Sequence, residues 1–296
     1  MKNIASITRA NFLPLTIVIV AAALAAAFYA HRTFNAVDAG LVLVAALLMH
    51  ASVNAFNNYF DFRSNIDAKT PKTPFSGGVE TIIKGMMKPS EALLVSISCL
   101  AGAGMIGIYF LLRLFNPLIP LVVYGAIAIV FYTPILSRIH ALSEIVAGTG
   151  FGFMGLGVYV TQSGVVDATG VAIFVPITIL VALLLFLNEF PDADVDKLGG
   201  RKHIVILFGK SRSAWIYVAG LVATEISIVI AVMLEAAPFE ALVALFAIPI
   251  AYKAGRLALK NYDRMPDLVP ALGLNVIYIL STISLLAVGF AVGAFL

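Results

Sequence analysis

Charge is what this chain has least of. Only 12% of its 296 residues are Asp, Glu, Lys or Arg, against 61% hydrophobic, which excludes an ordinary water-soluble globule. Cysteine occurs once, as Cys99 within an apolar run, so disulfide frameworks and cysteine-rich metal sites are ruled out. No cleavable leader is evident, because the first apolar run is about as long as its successors. The opening MKNIASITRANFLP reads as a short amphipathic lead-in. The formal charge of +3 says little by itself, and no nucleic-acid partner is expected. How that charge is distributed is more informative.

Apolar runs long enough to cross a ~30 Å hydrocarbon core recur from end to end. Nine are readable, at roughly 12–30, 38–56, 92–112, 118–136, 142–161, 169–188, 213–234, 238–257 and 269–292. The fifth is the weakest, with GTGFGFMGLG heavy in glycine and Glu144 near its start, but glycine permits close helix contact in membranes. The expected fold is therefore an all-α, polytopic membrane protein of nine helices around a central cavity, forming a single domain over 1–296. Nine spans place every lysine and arginine except Arg32 and Arg113 on one side, together with the N-terminus. By the positive-inside rule that side is cytoplasmic, in a cell membrane. The two long loops, 57–91 and 189–212, fall there too.

Those two loops carry the chemistry. FNNYFDFRSNID at 56–67 contains Asn57 and Asp61 spaced N-x-x-x-D, and LNEFPDADVD at 187–196 repeats the spacing with Asn188 and Asp192. Each pair leaves the end of an even-numbered span, and further acids follow: Asp67 in the first case, Asp194 and Asp196 in the second. The chain thus reads as two four-helix copies, approximately 12–136 and 142–257, plus a ninth helix; such repeats commonly build a site between the copies. Residues four apart share a helix face, so Asn57 and Asp61 point the same way. Pro191 would clash with the carbonyl of Leu187 in a continuous helix, which predicts a kink or break.

Clustered carboxylates repel unless neutralised, and a hard divalent cation does this. Mg²⁺ is typically held by one or two carboxylates together with substrate phosphates. Lys69, Lys72, Arg201 and Lys202 lie close by in sequence and suit polyvalent phosphate oxygens. Acids, bases and a lipid-facing cavity together point to a diphosphate carried on an apolar tail. Caps at helix ends and positive-inside topology would explain either motif alone, but they do not explain a motif repeated at matching depth.

With these residues in view, the chain resembles the UbiA superfamily of intramembrane prenyltransferases. The resemblance rests on N-x-x-x-D at Asn57 and Asp61 and on a D-x-x-x-D at Asp192 and Asp196. FSGGVETIIKG at 75–85, YTPILSRIHALSE at 132–144 and NEFPDADVDKLGGRKHIVILFG at 188–209 look closest to the 1,4-dihydroxy-2-naphthoate (menaquinone-biosynthesis) branch. Asn58 stands where many relatives have Asp. Asn65 stands where a further Asp is common, with Asp67 as its substitute.

The resemblance implies Mg²⁺-dependent transfer of a polyprenyl group from an allylic diphosphate to an aromatic acceptor, with two ions bridging the diphosphate. It implies metal ligands Asn57, Asp61, Asp67, Asp192 and Asp196, with Asp61, Asp67, Asp192, Asp196 and Tyr132 as the catalytic set. Asn57, Arg63, Lys69, Lys72, Arg138, Asn188, Arg201 and Lys202 are the expected substrate-binding residues. Tyr124 could share a cation-stabilising role, while Glu144 and His140 could face the acceptor. The partners expected are the prenyl diphosphate, an aromatic or lipid-like acceptor and membrane lipids. Two other readings stay open: prenyl transfer to geranylgeranylglyceryl phosphate in ether-lipid synthesis, and an ion-coupled transporter.

Overall fold

The computed structural model describes residues 2–64 and 79–296. The described residues form eleven α-helices and contain no strand. A short lead-in helix α1 (Lys2–Ile7) precedes α2 (Pro14–His31), α3 (Ala36–Arg63), α4 (Pro89–Leu111) and α5 (Phe115–Phe131). The second half runs α6 (Leu142–Ser163), α7 (Ala168–Leu198), the single turn α8 (Ile204–Phe208), α9 (Lys210–Met233), α10 (Ile248–Asn261) and α11 (Met265–Gly293). A 3-10 helix, Phe239–Ala247, leads directly into α10.

Among the described residues eight helical segments are long and apolar enough to cross a membrane, one fewer than the nine expected. The difference is α5, the expected fourth span, which has only 17 residues. The remaining spans fall where the apolar runs place them.

The helices begin and end for local reasons. Asn35 caps α3 by accepting from the amides of Val37 (3.0 Å) and Asp38 (3.1 Å). Asp167 caps α7 through the Gly170 amide at 3.0 Å. Both satisfy first-turn N–H groups that have no partner within the helix. At 1.5 Å per residue, the 28 residues of α3 and 31 of α7 reach roughly 42 and 46 Å. Each overshoots a ~30 Å hydrocarbon layer. Their polar last turns can therefore stand at the interface, which is why acids are tolerated there.

The expected break at Pro191 is absent, and α7 continues unbroken to Leu198. Proline removes one backbone donor, yet Leu187, Phe190 and Ala193 around it are almost wholly buried. Side-chain packing on both sides of the proline holds the helix together across it.

Close packing is clearest between α6 and α7. A Cβ added to Gly148 would fall on the carbonyl of Thr178, and one on Gly152 would meet the Thr178 hydroxyl and the Phe174 ring. This G-x-x-x-G face lets the two backbones approach, the usual solution where no hydrophobic drive exists between membrane helices. Polar contacts also cross-link the helices. Asn275 of α11 donates to the Leu183 carbonyl (3.1 Å) and accepts from the Tyr217 hydroxyl (2.9 Å), tying α7, α9 and α11 together. At the end remote from the acidic motifs, His31 lies 2.8 Å from Asp167 and 3.0 Å from the Tyr159 hydroxyl.

Candidate active site

A cavity of about 420 Å³ opens among α3, α4, α5, α6 and α7. Most of its wall is apolar, including Met49, Ala103, Leu118, Phe151 and Leu184. One end is polar. There the lining includes Asn57 and Asp61 from α3, Asn188, Glu189, Asp192 and Asp196 from α7, then Tyr132, Arg201 and His203.

The spacing accounts for this convergence. Positions 57 and 61 lie one turn apart on α3, and 188, 192 and 196 recur every four residues on α7, so each set occupies one stripe. Asp61 and Asp196 are 5% and 1% exposed. Arg201 joins them, with Nη2 2.5 Å from Asp61 Oδ1 and Nη1 3.1 Å from Asp196 Oδ1. Burial alone would lower the guanidinium pKa, but the two carboxylates outweigh it and hold Arg201 more firmly protonated than usual.

Arg201 reaches this position because its segment is pinned. Its own amide donates to the Asp196 carbonyl at 3.0 Å, and the Ala141 amide donates to the Lys202 carbonyl at 3.0 Å. Asn57 accepts from Arg9 (3.2 Å) and donates to Thr133 (3.2 Å), which brings the N-terminal segment and the end of α5 to the same place. Tyr132 follows α5 directly.

A second, smaller pocket adjoins the first and shares Asp61, Ser137 and Arg201 with it. Arg63 and Arg138 line this one, both exposed. Lys202 is also exposed but lines neither pocket. The sequence pairs it with Arg201, and the structure turns the two apart. Asp67, Lys69 and Lys72 lie outside the described residues. Asp194 is exposed and meets Lys210 at 3.3 Å.

Tyr124 lies outside the cavity lining and hydrogen-bonds Thr149. His140 is exposed. Asn58 is spent structurally: its amide nitrogen donates to the carbonyls of Ile7 (3.0 Å) and Asn54 (2.8 Å), and its oxygen accepts from the Val79 amide (3.3 Å).

Sequence reasoning left three lining residues without a firm role. They are Arg9, within the lead-in, together with Glu189 and His203. A fourth, His50, went unremarked. It is buried in the apolar part of the wall, 2.7 Å from Thr16 Oγ1 and edge-on to Phe151. A histidine within a membrane span was the available signal.

The residues suit a hard divalent cation. Asn57, Asp61, Asn188, Asp192 and Asp196 offer only oxygen at the cavity end, and the buried Asn188 Oδ1 has no hydrogen-bond partner. That is the donor chemistry Mg²⁺ requires.

A family model described as the UbiA prenyltransferase family matches residues 17–276. The 1,4-dihydroxy-2-naphthoate octaprenyltransferase of Bacillus subtilis is 28% identical over 204 residues, 62% of this chain and 62% of that one. UbiA prenyltransferase domain-containing protein 1 of Danio rerio is 29% identical over 199 residues, 64% of this chain and 56% of that one. The alignments thus span less than two thirds of these relatives' own length.

Among solved structures, a UbiA homologue from Aeropyrum pernix K1 superposes with a TM-score of 0.73 at 19% identity, covering 94% of this chain and 97% of that one. A UbiA homologue from Archaeoglobus fulgidus bound to GPP and Mg²⁺ gives 0.63 at 14%, covering 96% and 99%. A digeranylgeranylglyceryl phosphate synthase gives 0.63 at 18%, covering 99% and 98%. These structural likenesses are likenesses of fold.

Proposed function

Because this chain belongs to the UbiA prenyltransferase family, we propose that it transfers a polyprenyl group from an allylic diphosphate to an aromatic acceptor, 1,4-dihydroxy-2-naphthoate or a similar quinone precursor. The observation that carries the reading is the meeting of Asn57 and Asp61 with Asn188, Asp192 and Asp196 at the polar end of an otherwise apolar cavity. The homologue described as bound to GPP and Mg²⁺ supports the same donor and ion. The relative named for dihydroxynaphthoate supports the acceptor. With the family in hand, the ion-coupled carrier has no feature of its own in its favour.

In this reading Asp61, Asp192 and Asp196, with the amide oxygens of Asn57 and Asn188, would hold Mg²⁺, and the ion would supply charge stabilisation for the leaving diphosphate. Arg201, Arg63 and Arg138 line the two adjoining pockets and supply fixed positive charge to the phosphate oxygens. Arg9, on Asn57, adds a further cation to that end. The apolar wall takes the prenyl tail and keeps water from the allylic cation. Tyr132, at the cavity's polar end, presents an aromatic face to that cation. The polar end and the N-terminus face the cytoplasm of a cell membrane, following the lysine and arginine distribution.

The test is a product screen: detergent-purified protein, Mg²⁺, radiolabelled geranylgeranyl diphosphate and a panel of acceptors that includes geranylgeranylglyceryl phosphate. A labelled naphthoate product is expected, and a labelled glyceryl ether alone would move the acceptor to lipid synthesis. In the same assay Asp61→Asn and Asp192→Asn are each expected to lose most turnover across a Mg²⁺ titration. Near-normal activity in either variant would remove that residue from the site.

A further inference from the structure

Beside the Asp/Asn cluster lies a second group of donors with different chemistry. Glu144 in the first turn of α6, Glu189 of α7 and His203 just before α8 each place one donor atom within 4.8 Å of the others. All three are buried, at 3%, 7% and 1% exposure.

The three residues are not equally occupied. Both oxygens of Glu144 are fixed, accepting from the Ser143 hydroxyl (2.6 Å) and from the Ile204 amide (2.6 Å). By contrast Glu189 Oε2 and both ring nitrogens of His203 are buried with no hydrogen-bond partner. Such groups normally cost free energy unless something binds them. His203 Nδ1 faces Glu189 Oε2 at 3.7 Å, and its Nε2 faces Asp196 Oδ2 at 3.3 Å. One ring nitrogen turned to a would-be ligand and the other to a carboxylate is the arrangement of metal-binding histidines.

We propose that Glu144, Glu189 and His203 form a site for one late first-row divalent ion of the zinc type, separate from the all-oxygen Mg²⁺ site. The donor set is one imidazole and two carboxylates, which suits Zn²⁺, Fe²⁺ or Co²⁺ and does not suit Mg²⁺, whose preference is oxygen in octahedral array. Tetrahedral coordination at ~2.0–2.1 Å needs donors about 3.3 Å apart, so the three atoms close by no more than about 1.5 Å.

Glu189 and His203 border the main cavity, so the fourth position is open to an oxygen-bearing ligand there, as in three-ligand zinc sites. The ion joins α6, α7 and the 199–203 segment. Through His203, Asp196 and Arg201 it also fixes the guanidinium that reaches Asp61.

Cobalt provides a readout independent of turnover. Chelator-stripped, detergent-purified protein is titrated with Co²⁺ in millimolar Mg²⁺, without diphosphate or acceptor. One equivalent is expected to develop visible d–d absorption. His203→Gln and Glu189→Gln should weaken binding by about 100-fold or more, beyond the ~10–100-fold typical of losing an outer-shell partner. Asp61→Asn and Asp192→Asn should leave the cobalt spectrum in place even where prenyl transfer is lost, so failure of the metal proposal and failure of the proposed function are separable. Absence of binding, or binding abolished by the Asp61 and Asp192 changes but not by those at 189 and 203, would overturn the proposal. Should the His203 variant not fold, X-ray absorption at the cobalt edge of the unaltered protein decides: a nitrogen in the shell supports the site, and an all-oxygen shell refutes it.

Discussion

Arg201 and Asp61 stand 140 residues apart in sequence, yet their side chains meet at 2.5 Å beneath the polar end of the cavity. The same guanidinium touches Asp196 at 3.1 Å, so one cation spans both acidic motifs. This makes Arg201 a structural element as well as a candidate phosphate ligand.

Arg201→Ala is therefore expected to do two things at once. It strands two buried carboxylates, at a cost of about 3–5 kcal/mol when a buried pair loses one partner, which thermal unfolding in detergent reads as a lowered Tm. It also removes a charge-assisted contact worth ~1.5–3 kcal/mol, so kcat/KM for the prenyl diphosphate falls roughly ten- to hundredfold in the folded fraction. Lys202→Ala, next along the chain but exposed, should leave the Tm unchanged and kcat/KM within twofold. Equal effects at the two positions would mean that bulk positive charge, not position, matters.

The contrast between these neighbours marks the limit of what sequence shows. Spans, helical class and the two acidic motifs were legible because hydrophobic length and i, i+4 spacing are local properties. Arg201 and Lys202 look alike to any local rule; only the turn after Leu198 decides which one faces inward. Pro191 misled for a related reason, since a local helix-breaking tendency was overruled by burial of Leu187, Phe190 and Ala193. Glu144 and His203 could not be paired from the chain alone because 59 positions of sequence separate them.

Tail capacity should respond to cavity-facing glycines. Gly107, Gly125 and Gly157 line the cavity, and a Cβ at each would meet nothing within 4 Å. Gly157→Leu or Gly107→Phe should thus be accommodated by the fold while occupying tail space. With a ladder of prenyl diphosphates of increasing length, the longest donors should lose turnover first and the shortest should be spared. A uniform loss across lengths would place the tail elsewhere.

Orientation can be read with one thiol. In a Cys99→Ser background, Lys202→Cys places an exposed sulfhydryl beside the motifs. An impermeant reagent should label it in inverted vesicles and not in right-side-out vesicles. The reverse pattern would turn the whole bundle over.

At the opposite end, Asp167 gives a pH dependence with a definite sign. Burial favours its neutral form, but the Gly170 amide, the Tyr159 hydroxyl and His31 outweigh burial and hold its pKa below the ordinary value of 3.8. A depressed carboxylate pKa stabilises the fold fully above its unfolded value. That contribution is lost as pH falls through the folded one. The Tm difference between the unaltered protein and Asp167→Asn should therefore be constant at neutral pH and shrink below about pH 4. A difference that grows on acidification would contradict the assignment.

The separation of Asp61 from Arg201 also has a meaning in time. At roughly 5–20 residues per second, the ribosome needs on the order of 7–28 s to travel from one to the other. Throughout that interval the acid exists without its cation, and an ionised carboxylate cannot wait inside hydrocarbon. Its place in the last turn of a helix longer than the bilayer is thick keeps it beside water until the second half arrives. Neutrality at the site is thus acquired late, by assembly, and the overshooting length of α3 is what makes the delay survivable.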